Sequence, residues 1–173
     1  MMAYGQAHLG LRIFALEKQV QPPRCNLLAS SVLVRGFVSV RSPLFSPPLD
    51  LSAHGGLQLR IAGEGRRFKL AVACADGVAG LTELIPGGLR WVHEFATEPE
   101  GFSQVRIGFD QLIASVRARP IEGLPLGLPL QFDAGRITRL QLLHSRFGDD
   151  GDVNPGFRPG PLHLVLEAIH AVA

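Results

Sequence analysis

The sequence contains only two cysteines, Cys25 and Cys74, among 173 residues. Two cysteines form neither a disulfide framework nor a zinc-ligand pattern, so a reducing compartment is expected. No stretch approaches the ~20 apolar residues that a membrane-spanning helix requires. The first residues also lack the basic region and apolar core of a secretory signal. These absences predict a soluble protein without a transmembrane segment.

The sequence has only a small excess of charge of one sign. The net charge is +2, and only two of the 17 basic residues are lysines, Lys18 and Lys69. A total charge this small does not by itself argue for binding to nucleic acid or to an acidic membrane. The excess of arginine fits the forked, bidentate recognition geometry of this side chain. It fits equally well with a GC-rich genome, and both explanations stay open.

Sequence signatures of catalysis and of metal binding are missing. The six histidines show no HExxH or comparable spacing, and no serine stands in a G-x-S-x-G elbow. The acidic residues Glu98 and Glu100 flank Pro99 in an expected turn, where solubility explains them as well as glycosidase chemistry does. We therefore expect a protein that is not an enzyme and that has no cofactor or metal.

The chain does contain short stretches in which apolar and other residues alternate, and proline-rich and glycine-rich loops separate these stretches. This pattern predicts an all-β protein, a β-sandwich or jelly roll with one short helix. The length suits one well-buried domain, which we place at residues 27–173 after an N-terminal extension at 1–26. The strands are expected within residues 9–16, 30–41, 57–62, 68–72, 89–96, 102–109, 136–147 and 162–172, the last of which also has helical spacing.

The central stretch predicts a β-hairpin. Apolar residues stand at every second position on both sides of the turn Gly63-Glu64-Gly65. They are Leu57, Leu59 and Ile61 before the turn, and Phe68, Leu70 and Val72 after it. A period of two with a glycine turn between the runs is typical of two antiparallel strands that share one buried face. Two further expectations concern Trp91, which should lie on the buried face of its strand, and Asp110, which should cap a single helical turn.

Basic residues near the hairpin tip are the candidate binding site. Arg66, Arg67 and Lys69 follow the turn, and Arg41 is expected beside them. Such a group could contact an acidic protein, a phosphate or an RNA backbone. A solvated hairpin end, whose charges prevent aggregation at a strand edge, is the alternative. The Gly63-x-Gly65 pair is not a dinucleotide fingerprint, because a strand is expected after it where a helix is required.

A second candidate is a cation loop. Asp150, Asp152 and Asn154 have the alternate spacing of calcium ligands. Pro155 and Pro161 then occupy the positions at which such a loop needs glycine and a bidentate glutamate. A polar turn is therefore favoured over a weak cation site.

Several ordered blocks resemble the domain of the complex I intermediate-associated protein 30 family. They are residues 36–41 (GFVSVR), 50–60 (DLSAHGGLQLR), 63–70 (GEGRRFKL), 95–112 (FATEPEGFSQVRIGFDQL), 116–120 (VRARP) and 160–169 (GPLHLVLEAI). Residues 137–147 (ITRLQLLHSRF) and 150–157 (DGDVNPGF) are similar to the version in photosynthetic organisms, where the domain is inserted in an atypical short-chain dehydrogenase that promotes translation of a photosystem II messenger. The N-terminal block of the family, similar to NDPVMGG, has no counterpart here.

The resemblance implies a galactose-binding-like β-sandwich without established catalysis. It implies an assembly factor, chaperone or accessory subunit whose partners are protein subunits of a respiratory or photosynthetic membrane complex. The expected location is the cytoplasm of a bacterium, or the stroma or matrix of an organelle, peripheral to the thylakoid or inner membrane. Two alternatives remain: a carbohydrate-binding module, and an RNA-binding factor in organellar or cyanobacterial translation.

Overall fold

The computed structural model describes residues 25–29, 37–75, 88–116, 119–122, 130–148, 152–158 and 162–173. Within these residues the regular elements are ten strands and two single turns of 3₁₀ helix, Phe109–Gln111 and Ala134–Arg136. The strands, in chain order, are β1 (Cys25–Ala29), β2 (Phe37–Arg41), β3 (Gly56–Ala62), β4 (Arg67–Cys74), β5 (Leu89–Ala96), β6 (Ser103–Gly108), β7 (Ile113–Val116), β8 (Arg119–Pro120), β9 (Ile137–Ser145) and β10 (Leu162–Val172).

The strands form two antiparallel sheets. The four-stranded sheet has the order β1-β10-β3-β6, and the six-stranded sheet has the order β2-β9-β4-β5-β7-β8. This arrangement confirms the predicted all-β sandwich. It also resolves the ambiguity of residues 162–172, which form the longest described strand and pair with both β1 and β3.

One apolar core lies between the sheets. The inward-facing residues of β3 and those of β4 belong to opposite sheets. Both sets are therefore fully buried between the sheets. The prediction for Trp91 is confirmed, since its ring is buried and packs edge-on against Phe132 at 5.5 Å between centroids. The buried apolar residues of β3 and β4 are Leu57, Leu59, Ile61, Phe68, Leu70 and Val72.

The predicted hairpin is wrong in its pairing. β3 pairs with β10 and β6, whereas β4 pairs with β5 and β9, so β3 and β4 form no ladder with each other. The turn at Gly63-Glu64-Gly65 instead carries the chain from one sheet to the other, and we call it the β3–β4 corner. Glu64 and Gly65 adopt positive φ angles of 55° and 70°, which make the tight change of direction possible.

Asp110 does not cap the short helix. The cap position is Gly108, whose amide donates to the side-chain oxygen of Gln111 at 2.8 Å, while Asp110 lies inside the helical turn. The predicted strand at 9–16 and most of the N-terminal extension lie outside the described residues. The predicted domain boundary at 26/27 falls within β1 and stays a prediction. Within the described part of the chain, no helix has the length and apolar character that crossing a membrane requires.

Candidate functional site

The four basic residues predicted to bind a partner do not form one surface patch. Arg41 and Arg67 are exposed, but Arg66 and Lys69 are only 5% and 3% exposed. Burial of an arginine or lysine removes its charge from direct contact with a docking protein. The predicted partner-binding role therefore has surface access only at Arg41 and Arg67, where it stays a prediction.

Alternation along β4 places two of these residues on the side of the six-stranded sheet that faces away from the core. Phe68 and Leu70 point into the core, so Arg67 and Lys69 point the opposite way. Arg41 in β2 has the same direction, because Val40 is in the core. We call this side of the six-stranded sheet the outer face.

Two rows of paired residues run across the outer face. The first row is Ser39, Leu143, Lys69 and Glu94, and the second is Arg41, Gln141, Ala71, Val92 and Ile113. The centre of the face is buried, as shown by Lys69, Ala71, Val92 and Gln141, whereas Arg41 and Ile113 at its two sides are exposed. The accessible part of the outer face is therefore its border.

Glu94 links the basic residues of β4. Its carboxylate accepts a hydrogen bond from the Arg67 guanidinium at 3.1 Å, and it is the direct cross-strand neighbour of Lys69. Opposite charges at such positions stabilise a sheet. Since Arg67 is half exposed and Glu94 is mostly shielded, the pair positions the Arg67 side chain along the sheet.

Arg66 belongs to a separate group at the β3–β4 corner, where residues 152–158 cover the chain. Its Nη1 donates to the carbonyl of Arg158 at 3.1 Å, and the Arg158 guanidinium donates to the carbonyl of Glu64. Burial lowers the pKa of Arg66, and the neighbouring charge of Arg158 lowers it further. We call Arg66, His144, Asn154, Phe157 and Arg158 the corner cluster.

Asn154 joins this loop to the strands β4 and β9. Its amide nitrogen donates to the carbonyls of Ser145 at 3.0 Å and Arg67 at 3.4 Å, while its oxygen accepts from the amide of Gly156 at 2.9 Å. A Cβ at Gly156 would stand 2.8 Å from the Arg67 nitrogen, so only glycine allows the loop to approach this closely. The Asn-Pro-Gly-Phe sequence is thus a brace for the end of β4.

These contacts bear on the predicted cation loop. Asn154 is buried, and its amide oxygen already accepts from the Gly156 amide, so the side chain is directed into the protein and not toward solvent. Asp150 lies outside the described residues, and Asp152 is exposed. Within the part of the chain that the structure describes, no group of three or more His, Cys, Asp or Glu side chains could hold a metal ion.

His144 is the buried centre of the corner cluster, at 1% exposure. Its Nδ1 lies 2.7 Å from the Arg67 carbonyl, which accepts only, so Nδ1 carries the proton of the neutral ring. The ring packs between Phe68 and Phe157, with centroid distances of 5.2 and 5.6 Å. The sequence analysis missed His144 and Phe157; the signal available was the 150–157 block, which marked the loop but not its contacts.

Burial, two neighbouring charges and one hydrogen bond determine the protonation of His144. Burial lowers its pKa from the usual 6.5, and the charges of Arg66 and Arg158 lower it as well. The hydrogen bond to the Arg67 carbonyl raises it, but this effect is smaller than that of burial. The folded protein therefore holds His144 in its neutral form at a pH at which an exposed histidine is partly charged.

The free energy of unfolding should depend on pH through His144. Because the folded-state pKa is the lower one, the unfolded chain takes up the proton first as the pH falls below the usual value of 6.5. The contribution is complete above that pH and declines as the pH falls toward the folded-state pKa, by at most about 1.4 kcal/mol per pH unit for one proton. Urea unfolding between about pH 5 and 7.5 measures this slope.

The control is a second histidine. His144→Gln removes the titrating group and should flatten the profile between about pH 5 and 6.5. His170→Gln makes the same exchange on an exposed side chain of β10 and serves as the comparison for the effect of the exchange itself. An equal slope in the wild type and in His144→Gln would show that other groups set the pH dependence.

The exposed aromatic residues bear on the carbohydrate-binding alternative. Stacking on a sugar needs an accessible ring, and Trp91 is buried with its ring in the core. Among the described residues, the exposed large apolar side chains are Phe37, Leu44, Phe102, Ile113, Phe147 and Val153. Phe37, Phe147 and Val153 lie at one end of the β2–β9 pair, because Phe37 faces Ser145 and Phe147 bridges to Val153.

Two solved structures that are similar to this chain are bacterial carbohydrate-binding modules. One is the family 11 carbohydrate-binding module of the cellulosomal cellulase Lic26A-Cel5E of Clostridium thermocellum, with a TM-score of 0.43 and 14% sequence identity over 87% of this chain and 95% of that chain. Another is the family 11 module from Clostridium thermocellum in complex with a β-1,3-1,4-mixed-linked tetrasaccharide, with a TM-score of 0.40 and 14% identity over 85% of this chain and 96% of that chain. A comparison with curated proteins found no match.

A family model gives the assignment. The model of complex I intermediate-associated protein 30 (CIA30) matches residues 23–166, which include the strands from β1 to β9 and the corner cluster. This match covers most of the chain and confirms the resemblance seen in the sequence blocks. The chain belongs to the complex I intermediate-associated protein 30 family.

Proposed function

We propose that the chain is a non-enzymatic protein-binding module that acts as an assembly factor or accessory subunit of a respiratory or photosynthetic membrane complex. The observation that carries the proposal is the family match over residues 23–166. The family description names an association with a complex I intermediate. We place the protein in the cytoplasm of a bacterium or in an organellar stroma or matrix, peripheral to the membrane that holds the complex.

The form of the surface supports binding to a protein. Exposed apolar side chains stand beside arginines, as at Phe147, over whose ring the Arg146 guanidinium lies at 5.7 Å from the centroid. Aromatic and arginine side chains are enriched where proteins bind each other. The opposite sheet has a similar combination at Phe102, over whose ring the Arg60 guanidinium lies at 4.9 Å, but there Arg60 also pairs with Glu167.

Co-purification at native abundance tests the proposal. A tagged chain is expressed from its own locus, membranes are solubilised in mild detergent, and the captured proteins are quantified against an untagged strain. We expect enrichment of several subunits of one respiratory or photosynthetic complex. Capture of polysaccharide or RNA in place of such subunits, or of no subunit at all, would contradict the proposal.

A further inference from the structure

The strand β2 lies at a border of the six-stranded sheet. β2 is the first strand of the six-stranded sheet and pairs only with β9 among the described strands. The amide of Ser42 donates to the Leu140 carbonyl at 2.8 Å, which makes Ser42 and Leu140 a hydrogen-bonded pair. Because such pairs alternate in an antiparallel ladder, Val40 and Val38 also bond to β9. The backbone groups of Phe37, Ser39 and Arg41 therefore point away from the sheet.

β2 has few of the features that usually protect a strand edge, because its one charged residue, Arg41, stands at its end. It contains no proline or lysine, and its pairing with β9 has no register shift. The opposite border of the same sheet differs, because β8 has two residues and ends in Pro120. In the other sheet, the Arg106 side chain of edge strand β6 donates to the carbonyl of Ala173 and is already engaged.

Apolar side chains flank one end of this edge. Phe37, Phe147 and Val153 are 64%, 51% and 61% exposed, and the pairings described above bring them to the same end of β2. Large apolar residues gathered at one place mark an interaction site more often than scattered ones do. We call Phe37, Ser39, Arg41, Phe147 and Val153 the β2 edge.

A positively charged side chain, that of Arg41, lies at the opposite end of β2. Arg41 is exposed, and the described ion pairs, Arg60 with Glu167 and Arg67 with Glu94, do not involve it. Phe37 and Arg41 share the outer face and are about 13 Å apart at the usual rise of a strand. At the apolar end, Asp152 next to Val153 and Arg146 over the Phe147 ring supply charges of both signs. Arg41 is the cation of the other end, so its complement is a carboxylate placed away from Phe37.

We infer that the β2 edge binds an extended segment of a partner protein as an added strand. The inference rests on the proposed function and specifies its contact. The segment donates to and accepts from the backbone of Phe37, Ser39 and Arg41. On the outer face it places an apolar side chain against Phe37 and Phe147, and an acidic side chain about four residues away against Arg41.

The segment is identified by photo-cross-linking. A benzophenone amino acid replaces Phe37, and membranes of the source organism are irradiated with this chain. The matched control carries the same group at exposed Arg119 in β8. We expect position 37, and not 119, to cross-link to a contiguous peptide of a bioenergetic-complex subunit with an acidic residue about four positions from an apolar one. That peptide is then synthesised and used as the probe.

Variants of the edge test the mode of binding. Ser39→Pro removes an amide that β9 does not use, so the fold should persist while peptide affinity falls at least about tenfold. Arg41→Glu should weaken binding by about tenfold, whereas Arg119→Glu should have no effect. If Ser39→Pro alters the circular dichroism spectrum, Phe37→Asp at a largely exposed position takes its place.

Other outcomes separate this inference from the proposed function. If complex subunits co-purify equally with wild type and Ser39→Pro, or no cross-link forms from position 37, the proposed function stands and the added strand is rejected. Cross-linking between two copies of the chain, with a concentration-dependent dimer, would replace the partner segment by a second β2. If no subunit co-purifies with the wild type, both fail.

Discussion

Replacing Phe68 with alanine is expected to lower the free energy of unfolding by about 3–5 kcal/mol. Phe68 is fully buried in the inward row of β4. Its ring packs on Phe95 with a centroid distance of 6.1 Å and on His144 at 5.2 Å. The ring also fills the space beside Gly63, where an added Cβ would lie 2.4 Å from a ring carbon. Truncation therefore opens a cavity that extends from the core to the β3–β4 corner.

Urea unfolding measures this loss, and the protein has a suitable probe. Trp91 is the single tryptophan and is buried, so its emission should shift to longer wavelength as the chain unfolds. Phe102→Ala is the matched control, because Phe102 is substantially exposed and the Arg60 guanidinium lies over its ring, 4.9 Å from the centroid. We expect the control to cost about 1 kcal/mol or less. Equal losses for the two variants would contradict the described packing of Phe68.

Local alternation was sufficient to predict most strands but not their partners. The runs at 57–62 and 68–72 became β3 and β4 with the expected inward residues. A hairpin and a corner between two sheets bury the same alternate residues, and both need glycine at the turn. The distinction depends on β6 and β10, which lie far along the chain, and no local pattern reports on such distant pairing.

Residue type was a poor guide to the position of the basic side chains. Alternation places Arg67 and Lys69 opposite Phe68 in β4, and the structure agrees. Arg67 is exposed and Lys69 is buried because of the residues that β5 and β9 place on either side of them. The sequence of β4 alone carries no information about these neighbours. Arg66 stands before β4 and is covered by residues 152–158, a contact that depends on the close approach at Gly156.

Asn154, one of the residues of the predicted cation loop, has a structural role that this prediction did not include. Alternate acidic and amide residues suit a calcium loop, but they also suit turns in which a side chain bonds to the backbone two residues later. Asn154 makes that second kind of bond to Gly156. The deciding information is its other partners, the carbonyls of Arg67 and Ser145, which belong to two different strands.

Replacing Asn154 with alanine should therefore lower the free energy of unfolding by about 2–4 kcal/mol. The change removes three hydrogen bonds from a buried side chain. The Arg67 carbonyl keeps His144 as a donor, but the Ser145 carbonyl and the Gly156 amide lose the partners that Asn154 supplied. Urea unfolding followed by Trp91 fluorescence measures the loss, and hydrogen exchange at the Gly156 amide should become faster.

Asp50→Ala is the matched control for Asn154→Ala. Asp50 accepts a hydrogen bond from the amide of Ser52 at 2.9 Å, the same bond two residues along the chain that Asn154 makes to Gly156, but its side chain is in solvent. Water replaces the lost acceptor there, so the loss should be clearly smaller than for Asn154→Ala. If the two variants lose the same stability, the Asn154 contacts to Arg67 and Ser145 do not hold the loop on β4 and β9, and the brace is an ordinary surface turn.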